Sequence, residues 1–320
     1  MDKVIEQVIT DEYAIYNGDC IELIKNIETG IIGHSIFSPP FASLYTYSNS
    51  DRDMGNVKSY DEFFKHFSFL TKELYRVMMP GRLVAIHCMN LPTSKQNDGY
   101  IGIRDFRGDL IREFQKQGFI YHSETCIWKD PVVAMQRTKA KGLLHKQIKK
   151  DSACSRMGLP DYLVVMGKPG ENNEPISGEF KYYTGDQKLN KFIEFNRDDG
   201  RNIQLPKGGT SIDVWQNYAS PVWFDISQSD TLQFREAREN DDERHICPLQ
   251  LDVIERSLQL WSNPGDLVLT PFMGIGSETY MAVKMKRKGI GFELKNSYFK
   301  LAEKNMILAN SSQYDLFNQE

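Results

Sequence analysis

Residues 267–277 read LVLTPFMGIGS. The apolar run LVLT predicts a short buried strand, Pro271 ends its pairing, and Gly274 and Gly276 allow a tight turn before a helix that opens near Ser277. Glycines at a strand-to-helix turn let the backbone approach a ligand closely, and the first N–H groups of the helix point at it. The next strand, GIGFE, ends at Glu293, where a carboxylate can accept hydrogen bonds from ribose hydroxyls. A dinucleotide fingerprint would need a third glycine, whereas here Ser277, Glu278 and Thr279 lead into Tyr280 and Met281. The pattern therefore predicts an adenosyl ligand without a pyrophosphate.

Working outward, strand-like and helix-like runs alternate on both sides of this turn. In the first third, AIY from Ala14, HSIF from His34 and LVAIH from Leu83 read as strands. Between them, SYDEFFKHFSFLTKELYRVM carries Phe63, Phe64, Phe67, Leu70, Leu74 and Val77 at helical spacing. It opens on Ser59 with Glu62 three residues on, and Pro80 with Gly81 are expected to stop it. GDLIREFQKQGF gives a further helix ending at Gly118, and FIYHSETCIW and DYLVVMG give two further strands. Before the glycine turn lies the helix PLQLDVIERSLQLWS, and after GIGFE the helix NSYFKLAEKNMILA. This is the alternation of a mostly parallel α/β sheet. Residues 169–244 break it with Gly, Asn and Pro punctuation and interspersed aromatics, which predicts a separate lobe or long insertion rather than disorder.

A second stretch stands out at residues 38–41, SPPF, directly after the strand HSIF. Two prolines forbid further pairing and impose a stiff, extended exit. Ser38 and Phe41 are thereby held in fixed places.

The 320 residues are 40% hydrophobic, enough for a sizeable core. The opening MDKVIEQVITDEY is too acidic and polar for a signal peptide, and no segment has the apolar length of a membrane helix, so a cytoplasmic location is expected. Five scattered cysteines with no CxxC pair indicate neither a disulfide framework nor a thiolate zinc site, and no metal is expected. The net charge of −4 hides a basic tract. From 129 to 156, Lys129, Arg137, Lys139, Lys141, Lys146, Lys149, Lys150 and Arg156 face only Asp130 and Asp151, a local excess of six positive charges. Such a tract is a solvated face or a grip on phosphates.

SPPF together with LTPFMGIGSETYMAVKMKRKGIGFELKNSYFKLAEK resembles the amino-group DNA methyltransferases that use S-adenosylmethionine. The order, SPPF first and cofactor loop later, resembles their circularly permuted β class. The resemblance spans residues 13–168 and 245–320. It implies a Rossmann-like methyltransferase fold with a mostly parallel seven-stranded sheet, one strand antiparallel. The catalytic domain would comprise 1–168 and 245–320, with a basic insertion at 129–160, and 169–244 would be the target-recognition region. In the family the PFxGxGS stretch, here Phe272, Gly274, Gly276 and Ser277, wraps the methionine end of the cofactor, and a side chain at 276 would then block it. Glu293 matches the ribose acid. Asp19 of YNGDC, with Cys20 beside it, matches the acidic position near the adenine, although NGD before a helix is also a good cap. Pro248 would lie near the methionine moiety. Thr270 stands where the family usually has Asp, and Ser277 where Thr is common.

The resemblance also implies a chemistry for SPPF. An exocyclic amine donates its lone pair into the base ring and is a poor nucleophile until acceptors draw its N–H groups away. The Ser38 hydroxyl and the Pro39 carbonyl would be those acceptors, Pro40 would stiffen the loop, and Phe41 would offer a face to a base flipped out of double-stranded DNA. Transfer would be direct and in line, with no Cys nucleophile. Ser in the first position favours cytosine N4 over adenine N6 in that family; a catalytically silent DNA-binding module, or a methyltransferase acting on RNA or protein amines, is the alternative class. Lys139, Lys141, Lys146, Lys149, Lys150 and Arg156 are expected to hold DNA phosphates, with Trp128 and Lys129 near the flipped base. A cognate restriction endonuclease is an expected partner.

Overall fold

The computed structural model describes residues 4–41, 54, 59–93, 98–138, 143–177, 180, 185, 211–233 and 248–317. Its strands in chain order are β1 (Glu6–Ile9), β2 (Tyr13–Asn17), β3 (Ile32–Phe37), β4 (Met78–Met89), β5 (Leu91–Thr93), β6 (Gly102–Arg104), β7 (Ile120–Ile127), β8 (Asp161–Gly167), β9 (Val222–Trp223), β10 (Leu267–Thr270) and β11 (Lys288–Glu293). All but the β5–β6 hairpin join one nine-stranded sheet, ordered β1-β2-β11-β10-β3-β4-β8-β7-β9. From β2 across to β4 every pair is parallel, and β8 runs antiparallel between β4 and β7. The expected seven-stranded core with one antiparallel strand is therefore β2 to β7 in that order. An antiparallel β1 and a two-residue β9, parallel to β7, extend its edges.

Side chains alternate across the sheet, so neighbouring core residues serve opposite layers. Phe37, Val84, Ile86 and Leu269 pack with α1 (Cys20–Leu23), α2 (Tyr60–Val77) and α3 (Phe106–Lys116). Ile36, Ala85 and Val268 pack instead with α7 (Leu251–Trp261) and α8 (Ser277–Lys284), while Ile15 meets α9 (Asn296–Phe317). The remaining helices, α4 (Pro131–Thr138), α5 (His145–Lys150) and α6 (Ser211–Tyr218), lie in the connections around β7, β8 and β9.

Helix α2 shows why these boundaries fall where they do. The Ser59 hydroxyl accepts the Glu62 N–H at 3.1 Å, a cap of the kind that contributes about 1 kcal/mol. Phe63, Phe67, Leu70, Leu74 and Val77 are buried along one stripe. The helix stops at Val77, earlier than the expected stop at Pro80 and Gly81, which lie inside β4. Gly81 has φ 73°, and a Cβ there would come within 2.7 Å of the Asn172 backbone nitrogen, so that glycine answers to the 169–177 segment instead.

Residues 169–244 are not a separate lobe along their whole length. Val222 pairs with Cys126, and Trp223, 1% exposed, sits in the cluster that also holds Ile36 and Leu258. An ion pair fastens this segment to α7: the Arg256 guanidinium donates to both Asp225 oxygens at 3.0 and 2.7 Å. The guanidinium lies against the rings of Tyr218, at 4.7 Å, and Trp223, at 5.1 Å. Both charged side chains are buried. Breaking one partner of such a pair strands the other charge, whereas replacing both by apolar groups does not. Asp225→Ala is accordingly expected to lower unfolding free energy by about 3–5 kcal/mol, and Asp225→Leu with Arg256→Met to recover most of that loss, as read by denaturant melts.

Candidate active site

Two neighbouring parallel strands deliver the two motifs to one place. In β3 and β10, His34 pairs with Val268 and Ser35 with Leu269, and the Ser35 hydroxyl donates to the Leu269 carbonyl at 2.8 Å. SPPF and PFMGIGS therefore leave the sheet side by side at its carboxyl edge. Phe37 and Phe272 touch with ring centroids 5.8 Å apart, and Phe67 of α2 stacks on Phe272 at 6.5 Å. After β10 the chain passes by α8 to β11 on one side, while β3 leads to β4 on the other. That divergence opens the crevice in which parallel α/β sheets take ligands. Beside it, β2 and β11 bring Asn17, Gly18 and Asp19 against Glu293: the Gly18 N–H and the Asn17 side-chain amide both donate to the Glu293 carbonyl, at 2.9 and 2.7 Å.

The two glycines of the loop have different reasons. Gly276, φ 90°, is pressed on its own fold: a Cβ would lie 3.2 Å from Ala302 Cβ and 3.3 Å from the Thr279 hydroxyl. A side chain at 276 meets α9 rather than a ligand, which corrects the expectation of direct blocking. Gly274, φ 55°, faces open space, with nothing within 4 Å of a built Cβ. Its N–H is held by Glu293, whose Oε2 accepts at 2.8 Å while Oε1 accepts the Lys295 N–H at 2.8 Å. Each of those oxygens has a second lone pair.

Asp19 caps α1, its Oδ1 accepting the Ile21 N–H at 2.9 Å, so the capping reading is realised at the edge of the crevice. Cys20 is buried. Its thiol is pushed well up by burial first and then by the Asp19 and Glu293 carboxylates, which keeps it protonated. Pro248 is half-buried and leads through Leu249 into the Gln250 position that starts α7. Thr270 Oγ1, Ser277 Oγ and Gln250 Oε1 are buried with no hydrogen-bond partner among the described residues. Buried acceptors and donors without partners cost about 1–3 kcal/mol each, so orphaned atoms on the strand end, the loop and the facing helix start suit a polar ligand. An open cradle at Gly274, a carboxylate at the neighbouring strand end and these hydroxyls fit S-adenosylmethionine.

At the other motif, Pro39 is buried, Pro40 half-buried, and Phe41 packs edge-on against Phe106 with centroids 6.2 Å apart. Behind it lies a line of polar groups outside the expected site residues. Ser38 Oγ is 3.1 Å from His87 Nδ1 and 3.3 Å from the His87 carbonyl. His87 Nε2 is 3.1 Å from Asp161 Oδ2, and Lys129 Nζ lies 2.6 Å from the same oxygen. Burial pushes the Asp161 carboxyl up, but the Lys129 ammonium and His87 outweigh it and hold it below the usual range, so Asp161 is ionised. The other histidine of this layer, His34, is structural. Its Nδ1 faces the Leu83 carbonyl and its Nε2 the Ser257 hydroxyl, each at 2.9 Å, and burial lowers its pKa to about 3.

The basic tract resolves into unequal parts. Lys146, Lys149 and Lys150 are exposed on α5. Lys139 and Lys141 lie outside the described residues. Arg156 is half-buried, with its pKa lowered by burial and one N–H donated to the Met157 carbonyl. Lys129, which belongs to the tract by sequence, is engaged by Asp161.

A mixed sheet with its glycine loop and its Ser-Pro-Pro-Phe at adjacent strand ends defines a methyltransferase of the Rossmann-like class. Residues 32–304 match the N6/N4 DNA methylase family, and the chain belongs to it. Over 288 residues it is 23% identical to the orphan methyltransferase M.BamHII of Bacillus amyloliquefaciens, covering 88% of this chain and 91% of that one. It is 26% identical over 290 residues to the type II methyltransferase M.BamHI of the same organism, covering 90% of this chain and 56% of that one. Among solved structures, the DNA modification methylase TTHA0409 of Thermus thermophilus, complexed with S-adenosyl-L-methionine, superposes with a TM-score of 0.62 at 18% identity, covering 94% of each chain. Among the described residues no helix is long and apolar enough to cross a membrane, and no group of three or more His, Cys, Asp or Glu is placed to hold a metal.

The two glycines give a paired test. Gly274→Ala, at a strain cost of about 1–2 kcal/mol, should weaken S-adenosylmethionine binding about tenfold or more in calorimetric titration. Gly276→Ala adds contact with α9 to its strain and should show the larger fall in Tm.

Proposed function

We propose that this DNA amino-methyltransferase acts on the exocyclic N4 of a cytosine flipped out of double-stranded DNA. The observation that carries the reading is the pairing of β3 with β10, which sets the Ser38 hydroxyl and the glycine loop at one crevice. Thr270, Ser277, Gly274 and Pro248 would hold the methionine end of S-adenosylmethionine, Glu293 its ribose, and Asp19 with Cys20 the adenine side. When bound, the cofactor supplies an electrophilic methyl group on a sulfonium. Ser38 Oγ and the Pro39 carbonyl accept the two amine N–H groups and draw the nitrogen out of conjugation with the ring. The prolines keep both acceptors aimed without movement, and Phe41 backs the base.

Helix α5 is the part of the basic tract available for phosphates, together with Lys139, Lys141 and Arg156 in the connecting segments. Residues 169–210 and 234–244 are the remaining stretch for reading base edges. Double-stranded DNA in the cytoplasm is the partner, and a restriction endonuclease of the same recognition sequence fits a type II relationship. The hydroxyl at position 38 favours cytosine, because the family uses Ser more often there.

Nucleosides from methylated duplex, separated and identified by mass, are expected to contain N4-methylcytosine. N6-methyladenine alone would make the enzyme adenine-specific, and label in RNA or protein but not DNA would overturn the reading. Ser38→Ala should lower turnover about 10²- to 10³-fold while cofactor affinity stays near wild type. Replacing Lys146, Lys149 and Lys150 by Gln should weaken binding to all duplexes alike. It should also flatten the salt slope of log K by about one for each phosphate that is no longer neutralised, measured by fluorescence anisotropy.

A further inference from the structure

We propose that His87, held by Asp161 and Lys129, is the positioning residue that aims the Ser38 hydroxyl at the amine and receives through it the proton that methylation releases. The inference rests on the reading of Ser38 as an amine acceptor and adds a destination for the proton.

Asp161 sets the tautomer of the ring. It is ionised and can only accept; it faces His87 Nε2 at 3.1 Å, and Nε2 is buried with no other partner among the described residues. The contact is an ion-pair distance rather than a straight hydrogen bond, yet it places the ring proton on Nε2, since a bare nitrogen would face a carboxylate across 3.1 Å. In the neutral ring Nδ1 is then an acceptor, 3.1 Å from Ser38 Oγ. A serine hydroxyl has one proton and two lone pairs. With its proton donated to Nδ1, both lone pairs turn away from His87, and one can take an amine N–H.

Charge follows the same line. Transfer of a methyl group to the amine nitrogen leaves it with one proton too many. The N–H bond breaks and its electron pair stays on nitrogen, while that proton forms a new O–H bond on Ser38. The original Ser38 O–H bond breaks as its proton joins His87 Nδ1. His87 becomes an imidazolium beside the Asp161 carboxylate and later returns the proton to water. Lys129, on the far side of Asp161, keeps that carboxylate charged although it is only 3% exposed. Asp161 and Lys129 are the charged groups in contact with the ring along this line. Serine alone offers no such resting place, because a doubly protonated hydroxyl is a strong acid.

Sequence position gives His87 a backbone reason to be here. It lies two residues before the end of β4, opposite Leu163 of β8 and diagonal to Asp161, and β4 is the next strand after β3 in the sheet. Phe37, immediately before Ser38, pairs with Ile86, immediately before His87. The two side chains thus leave adjacent parallel strands at the same level.

The test uses the full chain, S-adenosylmethionine and a duplex that the wild type methylates, read as single-turnover rates beside cofactor titrations that report folding. His87→Ala is expected to be about 10²-fold slower with cofactor affinity within about twofold, and added imidazole should restore about tenfold of the loss. His87→Asn keeps an acceptor near the Nδ1 position but takes no proton, and should remain about as slow as His87→Ala. Wild-type rates in His87→Ala or His87→Asn would overturn the inference, as would a slow His87→Ala that imidazole leaves unchanged. Ser38→Ala run in parallel separates the two ideas. If it is slow while His87→Ala is fast, the relay falls and the Ser38 reading stands; if Ser38→Ala keeps the wild-type rate, the Ser38 reading falls first.

Discussion

Parallel pairing of β3 with β10 joins residues 34–35 to residues 268–269, and almost everything functional about the molecule hangs on it. Parallel strands need a crossover between them, so their carboxyl ends can hold loops from distant parts of a chain at one height. Here one end carries a stiff double proline and the other a glycine turn. The aromatic contacts of Phe272 with Phe37 and Phe67 make the pairing part of the core. A shift of one residue in the register would turn Ile36 and Phe37 to the opposite layers and carry Ser38 away from the crevice.

Around that pairing the sheet places buried polar groups in two lines with different purposes. At the amino edge, Arg82 reaches Asp266 at 3.0 Å and Gly33 leaves room for it, since a Cβ there would come within 2.8 Å of the Asp266 side chain. That line is satisfied by its own members and fastens β3, β4 and the turn before β10. At the carboxyl edge, Ser38, His87, Asp161 and Lys129 form a line that stops at the crevice. A buried carboxylate is tolerable there because two basic groups converge on one of its oxygens. Glu278, buried in the first turn of α8, has no comparable partner, and burial raises its pKa to about 8. The contrast shows what pairing does for Asp161.

Much of the fold was legible because its elements are short and strongly patterned. DYLVVMG and LVLT match β8 and β10 residue for residue, and Ser59 caps α2 as its spacing with Glu62 implied. What sequence reasoning missed was tertiary. Pro80 and Gly81 look like a helix stop, but Met78 and Met79 already belong to β4. Val222 and Trp223 read as loop aromatics in a punctuated region, and only their pairing with β7 reveals an edge strand. Lys129 reads as one more cation in a basic tract until Asp161 is seen beside it. His87 and Asp161 each fall inside a strand pattern, LVAIH and DYLVVMG, that gives them no separate meaning. Their signal is a polar residue at the end of an otherwise apolar strand that borders the crevice, and its meaning depends on a register no single sequence states.

Ser38 itself shows why those missed residues matter. A carboxylate at the first position of such a motif could both accept an amine hydrogen bond and keep the proton. A hydroxyl can do only the first: it is a good acceptor and a poor proton store. A serine motif therefore requires either water or a base behind it, and the Pro39 side of the loop, buried and without a titratable group, offers neither. The imidazole at 3.1 Å does. The first letter of SPPF and the last letter of LVAIH are thus one chemical unit, divided between adjacent strands and assembled by the same parallel pairing that brings the cofactor loop alongside.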